Sequence, residues 1–167
     1  MFLLSRLPAR LHRGFYRLAH GIRVRVWRLF RPRLDGVRVL AIDSTGRVLL
    51  VRHSYGTPRW MAPGGGLRPG EDPILAAGRE LAEETGCRLS AARLLEVRSE
   101  TLHGAVNIVR VVAGRCTGVP QPDGREIHAA RFFAPGELPP DLPRSQRERL
   151  PSWLLAYASA APFSEGR

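Results

Sequence analysis

The chain has 167 residues, 44% of them hydrophobic, which is enough for one domain with its own core plus an appendage. Its formal charge of +11 suggests a nucleic-acid binder, but residues 1–34 hold nine arginines and no acid, while residues 35–167 set seventeen arginines against fifteen acids, so the body is nearly neutral. All 26 basic residues are arginine, which excludes a lysine-bearing phosphate loop of the GxxxxGK[ST] type, and the absence of any run of 18 apolar residues argues against a membrane span.

The first element in chain order is an arm. Leu3, Leu7, Leu11, Phe15, Leu18, Ile22, Val26 and Leu29 recur every three or four residues, with Arg6, Arg10, Arg13 and Arg17 along another face. This is the pattern of an amphipathic helix over about 8–30. The opening run MFLL is too short for a signal-peptide core. The period then changes. VRVLAID (37–43) and RVLLVRH (47–53) read as strands joined by Ser44-Thr45-Gly46. A loop and the glycine cluster APGGG (62–66) follow. Residues 72–85 read as a helix, with Asp72 as N-cap, Pro73 in the first turn and Gly86 as C-terminal cap. Two strands, 93–102 and 106–117, turn at His103-Gly104. A polar turn leads to a strand at 128–134, a proline-rich loop follows, and a last helix at 145–160 contains Pro151. Strands and helices mix without a βαβ rhythm, so the fold class is α+β, or a layered α/β/α arrangement. Cys87 and Cys116 lack a CxxC spacing and sit among apolar neighbours, which reads as reduced core thiols in a cytosolic protein.

The helix at 72–85 carries the strongest chemical signal. Ile74, Ala77, Gly78, Leu81 and Thr85 share the face expected to meet a core, and Glu80, Glu83 and Glu84 fall within an arc of about 100° on the other side. Like charges at Glu80 and Glu84, four residues apart, disfavour a helix, and the last turns of a helix prefer cations. A local sequence that works against its own helix implies a cation. Carboxylate oxygens with no His or Cys nearby suit a hard ion, Mg²⁺ or Mn²⁺. A glycine-rich loop beside such an ion points to phosphate, because glycines let backbone N–H groups approach an anion. GxSxG, HExxH and dinucleotide fingerprints are absent.

These residues resemble the Nudix box, G-x5-E-x7-R-E-U-x-E-E-x-G-U with U bulky and apolar. Gly65, Glu71, Arg79, Glu80, Leu81, Glu83, Glu84 and Gly86 all stand in register, and Cys87 is a mild departure at the final U. The lead-in Trp60 to Gly66 is similar to that of the Nudix hydrolases, with Ala62 where leucine is common. The resemblance covers roughly 36–140 and implies a layered α/β/α sandwich with a mixed sheet. It also implies metal-dependent hydrolysis of a pyrophosphate bond in a nucleoside diphosphate linked to another group. Carried onto this chain, Glu80, Glu83 and Glu84 are metal ligands with the Gly64 carbonyl. Arg79 orients the glutamates, and Glu71 supports the metal shell. Glu126, six residues before Phe132, stands where many members add a loop acid, with Asp123 as a weaker candidate, so the general base lies with a box glutamate or with Glu126. Gly65 and Gly66 would face the substrate. Trp60 and Tyr55 have two readings, stacking on a base or, for a strand tryptophan, packing beside the core. His53, His103 and His128 are isolated and read as structural. The proline, tyrosine and post-box motifs that accompany ADP-ribose, dinucleoside polyphosphate and NADH specificity are absent.

The expected organisation is therefore an arm (1–34), a Nudix hydrolase domain (35–160) and a tail (161–167). The expected partner is a small nucleotide; a catalytically silent Nudix-fold binding module and an RNA 5′-pyrophosphohydrolase are the competing readings, nucleic acid being the weaker partner because the body shows no basic aromatic groove. The arm has to cover its apolar stripe on the body, on a second subunit as a dimer contact, or on an anionic membrane surface. The expected location is cytoplasmic, with peripheral attachment to the inner membrane face under the last of these.

Overall fold

A computed structural model of the chain describes residues 33–54, 59–102, 104–124 and 126–160. Nearly all of the arm, Tyr55, His103 and the tail lie outside the described residues. The elements are β1 (Arg33–Ile42), β2 (Val48–His53), β3 (Trp60–Met61), β4 (Gly64–Gly66), α1 (Pro73–Thr85), β5 (Arg88–Leu102), β6 (Ala105–Thr117), β7 (Ile127–Phe133) and α2 (Arg144–Ser159).

The sheet is mixed. β1 and β6 run parallel without a break from Arg33↔Val106 to Ile42↔Arg115, and β5 runs antiparallel to β6. β1 and β2 share only the pair Ile42↔Val48 beside their connection. That connection is set by Asp43, whose Oδ1 accepts the N–H groups of Thr45 and Arg47, each at 2.9 Å. Past this point the two strands diverge. β2 pairs with β3 and β7, and β4 takes the place beside β1, at Gly36↔Gly66 to Arg38↔Gly64. The resemblance implies a lead-in strand over Trp60 to Gly66, and the structure splits it into the short β3 and β4. Two residues and three glycines carry no periodicity, and their pairing partners are remote in the chain.

Side chains alternate between two layers. Val37, Val39, Ala41, Leu49 and Val112 form one core with Ala76, Ala77 and Leu81 of α1. Leu40, Val48, Leu50, Val109, Val111 and Ala113 form the other with Leu150 and Trp153 of α2. The result is helix on sheet on helix, as expected. Each fully buried leucine or valine contributes about 1.5–3 kcal/mol. Cys87 and Cys116 are free and buried in the α1 layer, where burial and the neighbouring Cys87 thiol push Cys116 up to about 12.

Two expectations need correction. The buried arc of α1 comprises Ala76, Ala77, Leu81, Glu84 and Thr85, while Ile74 in the first turn is 38% exposed. The arc is turned toward Glu84, which therefore leaves the side opposite the core where the helical wheel sets it. α2 runs through Pro151 as expected, with Leu150 and Trp153 on either side of the proline buried in the core and Trp153 Nε1 donating to Glu96 at 2.7 Å. β5 begins at Arg88, earlier than the sequence pattern suggested. Register shifts after Ser90 and Leu94, with Ala91 at φ 47°, break its alternation, and Tyr157 Oη donates to the Ala91 carbonyl.

Candidate active site

The site begins with the ends of α1. Asp72 Oδ1 accepts the N–H groups of Ile74 and Leu75, at 2.8 and 3.1 Å, and Pro73 occupies the first turn. Gly86 closes the helix at φ 69°, its N–H donating to Ala82. These caps fix a helix that carries four of the site's charged residues. Its last carbonyl, Thr85 O, accepts the N–H of Gln121 at 2.8 Å. This bond ties the loop before β7 to the end of α1.

The glycine strand crosses close to α1. A side chain at Gly64 would strike the Val37 carbonyl at 2.1 Å, and one at Gly65 would strike Glu80 Oε2 at 2.4 Å. Glycine is therefore required for the Glu80 carboxylate to lie against the backbone. Arg79 gathers the acids around it. Its Nε and Nη2 donate to the two oxygens of Glu71 at 2.8 and 2.9 Å, Nη1 donates to Glu80 at 2.7 Å, and Nη2 reaches the Gly66 carbonyl at 3.2 Å. Glu83 is more distant, at 3.4 Å, with 56% of its side chain exposed. The bond from Arg79 holds the Glu71 carboxyl down at about 2, helped by the Arg68 N–H, and Glu71 and then Glu80 in turn raise the Arg79 guanidinium.

Glu84 is the exception. It is 6% exposed, and its Oε2 accepts the Gly64 N–H at 3.2 Å. Burial pushes its carboxyl up to about 8; the Gly64 N–H works against this, and the negative charges of Glu80, Glu126 and Asp123 add to it. Glu126, remote from the box in the chain, thus stands near enough for its charge to act on Glu84. Its backbone carbonyl accepts the Ser54 N–H at 2.8 Å, and Asp123 Oδ1 accepts the N–H groups of Glu126 and Ile127, at 3.0 and 2.8 Å. Asp123 holds the turn that presents Glu126.

The fold therefore assembles Gly64, Gly65, Gly66, Glu71, Arg79, Glu80 and Glu84 along β4, with Glu126 near enough for its charge to act on Glu84. Glu83 stands at the margin. Trp60 lies elsewhere: it packs edge-on against Phe133, 4.9 Å between ring centroids, beneath the Arg52 guanidinium and within the α2 layer. A buried carboxylate facing other carboxylates, with a single N–H for relief, fits a divalent cation bound by oxygen ligands. Among the described residues no three acid, His or Cys side chains are gathered closely enough to clasp an ion together. Arg79 holds Glu80, so binding by Glu80 requires that this pairing loosen.

Beside the glycine strand opens a cavity of about 1210 Å³, walled by Gly64–Gly66, Arg38, Glu100, Asn107 and the first turn of α2. Its volume suits a nucleotide-sized group. Arg38, Glu100 and Asn107 escaped the sequence reading, since each is an ordinary strand residue until the sheet brings it to the cavity.

Comparison with known proteins places this geometry. The family model described as NUDIX domain matches residues 32–154. An RNA pyrophosphohydrolase of Bradyrhizobium diazoefficiens is 42% identical over 85 residues, 47% of this chain and 48% of that protein. The diphosphoinositol polyphosphate phosphohydrolase 3-alpha of Mus musculus is 50% identical over 55 residues, 33% of this chain and 34% of its own. The chain spans between about a third and about half of the length of the curated relatives it matches. Among solved structures, the MutT NUDIX hydrolase from Burkholderia pseudomallei superposes with a TM-score of 0.61 at 26% identity, covering 77% of this chain and 98% of that one.

Proposed function

The chain belongs to the Nudix family, its NUDIX domain spanning residues 32–154, and from that premise we propose that it is a divalent-metal-dependent hydrolase of a pyrophosphate bond in a nucleoside diphosphate linked to another moiety. The observation that carries the reading is Glu84, a carboxylate enclosed under the glycine strand within reach of the charges of Glu80, Glu126 and Asp123. A fold maintains such repulsion at a functional site. Mg²⁺ or Mn²⁺ would be held by Glu80, Glu83 and Glu84 with the Gly64 carbonyl, and Glu71 would act through Arg79. The ion supplies charge neutralisation at phosphate oxygens and acidifies water. Arg79 keeps Glu80 against the Gly65 backbone until the substrate complex forms. Gly65 and Gly66 allow the phosphates to approach the backbone. Glu126 or a box glutamate takes the proton from the attacking water; Glu84, whose proton leaves near pH 8, suits that task as well as it suits metal binding.

The test is release of phosphate or pyrophosphate from a panel of nucleoside diphosphate derivatives in Mg²⁺, in Mn²⁺ and in excess EDTA. Turnover with either ion and none in EDTA is expected. Turnover undiminished in EDTA, or none under any condition, would sink the reading; the second result would favour a silent binding module.

A 5′-triphosphorylated RNA belongs in the same panel, because curated relatives are RNA pyrophosphohydrolases and the arm carries nine arginines without an acid. The arm is proposed as a contact with an anionic membrane surface or a second subunit. Among the described residues no helix is long and apolar enough to cross a membrane. Co-sedimentation with anionic vesicles at low and high salt, for the full chain and for residues 35–167, separates these placements.

A further inference from the structure

The family's box accounts for the phosphate end of the cavity and leaves its other end unexplained. There the sheet presents four charged or polar side chains on the α2 face, Arg38, Arg98, Glu100 and Asn107. Register places Glu100 opposite Asn107 and Arg98 opposite Val109, with Gly36 beside Val109 on β1. Arg38 crosses this row and forks onto Glu100, at 2.9 and 3.2 Å, and Arg98 Nε stands 3.3 Å from the same carboxylate. Arg98 Nη1 is enclosed without a hydrogen-bond partner. Two guanidiniums thus fix one carboxylate and keep it ionised, since the Arg38 bond holds Glu100 below its ordinary range. The Asn107 amide makes no hydrogen bond among the described residues, and its Oδ1 lies beside the glycine strand, 3.6 Å from where a Gly36 side chain would begin. Across the cavity Gln146 is fixed by accepting the Ala62 N–H at 2.9 Å.

An immobilised carboxylate next to an unengaged amide is a hydrogen-bond template. Arg38 and Arg98 occupy three of the four lone-pair positions of Glu100, so its Oε2 accepts one further N–H or O–H group and the Asn107 amide oxygen accepts a second beside it. Each charge on this wall is engaged with another, Arg38 and Arg98 with Glu100, so hydrogen bonding to Glu100 and Asn107 decides what fits. We propose that Glu100 and Asn107 are the specificity-determining residues for the moiety beyond the hydrolysed phosphates, and that they select a group presenting two adjacent hydrogen-bond donors, one to each residue. The inference rests on the pyrophosphohydrolase reading for its substrate and on the cavity alone for its binding. Two sources carry the required chemistry: the N1–H and amino edge of guanine, and the vicinal hydroxyls of a sugar. Arg38 is a positioning residue, acting through Glu100.

The test uses the full chain, Asn107→Ala and Glu100→Gln. Relative kcat/KM is measured in Mg²⁺ for the GDP, ADP, UDP and CDP derivatives of glucose, and for methyl-UDP, which lacks the sugar. Melting shifts are measured with GMP, AMP, UMP, CMP, glucose 1-phosphate and inorganic phosphate. We expect each variant to lower kcat/KM about 10- to 100-fold for the preferred substrate and to leave the poorest nearly unchanged, flattening the ranking. A preference for GDP and GMP assigns the site to guanine; loss of activity on removing glucose, with a shift by glucose 1-phosphate, assigns it to the sugar. A ranking and a set of melting shifts that survive both substitutions overturn the proposal. If the Glu100 variant is unfolded because Arg38 loses its partner, Asn107→Ala decides alone, as it breaks no hydrogen bond among the described residues. If the parent hydrolyses nothing, the enzymatic reading fails by itself and the melting shifts still decide whether Asn107 selects the ligand.

Discussion

Replacing Glu84 with glutamine should remove the loss of stability that the metal-free protein suffers as pH rises from 4.5 through about 8. The folded carboxyl ionises near 8 against an ordinary 4.5, so the fold favours its protonated form. The contribution is fully present below pH 4.5 and is lost as pH rises through about 8, because over that window the folded state binds more protons than the unfolded one. At about 1.36 kcal/mol per pH unit, the interval corresponds to about 5 kcal/mol, an order-of-magnitude figure. Glutamine keeps an acceptor for the Gly64 N–H and carries no charge to desolvate. In EDTA, Glu84→Gln should match the parent near pH 4.5 and exceed it increasingly toward pH 9. Urea unfolding at one-unit pH steps measures this. Adding Mg²⁺ or Mn²⁺ should raise the parent's stability most at alkaline pH, where the carboxylate is ionised, and raise the variant's far less. Parallel pH profiles for the two proteins in EDTA would refute the reasoning, since they would show that Glu84 does not titrate as an enclosed group.

Gly65→Ala places a methyl 2.4 Å from Glu80 Oε2, so the carboxylate must leave its 2.7 Å bond with Arg79; we expect kcat to fall about 10²-fold with a modest change in melting temperature, and parental kinetics would disprove the close approach. Glu126→Gln removes a negative charge that acts on Glu84 and should lower the pH at which Glu84 ionises, read by carbon-detected titration; no movement would contradict their proximity. The same variant assigns the base: a kcat loss of about 10²- to 10⁴-fold at little-changed KM puts it on Glu126, and an unchanged kcat puts it on a box glutamate. Arg79→Lys loses the fork onto Glu71, whose ionised form stabilises the fold above pH 4.5 and ceases to as pH falls through about 2. The Glu71 titration should move up toward its ordinary range, and acid unfolding in that window should become less steep; an unmoved Glu71 would show that the fork is dispensable.

What could be read from the sequence was what is decided locally. Asp72, Pro73 and Gly86 fix α1 within a few residues of themselves, and the box acids lie on that one helix, so helix and chemistry were visible together. The burial of Glu84 was not, because a helical wheel ranks faces by residue type and the sheet turned a different arc inward. The division of the lead-in strand into β3 on β2 and β4 on β1 could not be read either, since three glycines acquire their pairing only from β1. Glu126 was visible as an acid at a plausible distance before an aromatic strand; the bond from Gln121 to Thr85 that brings its loop home was not. Arg38 and Glu100 are 62 residues apart, and no local pattern couples them.

Among the described residues β5 ends the sheet, a fifteen-residue strand with Leu94 and Val97 45% and 55% exposed. Such an edge invites a second chain to add itself by backbone pairing, the first step of cross-β aggregation. The two register shifts, the left-handed Ala91 and the Tyr157 hydroxyl on its carbonyl remove the regular ladder that a visitor would need. The irregularity that hid the start of β5 from a sequence reading thus adds to its five charged side chains in keeping a long edge strand from pairing with a second chain. Restoring a flat strand there, by straightening the segment around Ala91, would be expected to produce fibres before it produced any change in catalysis.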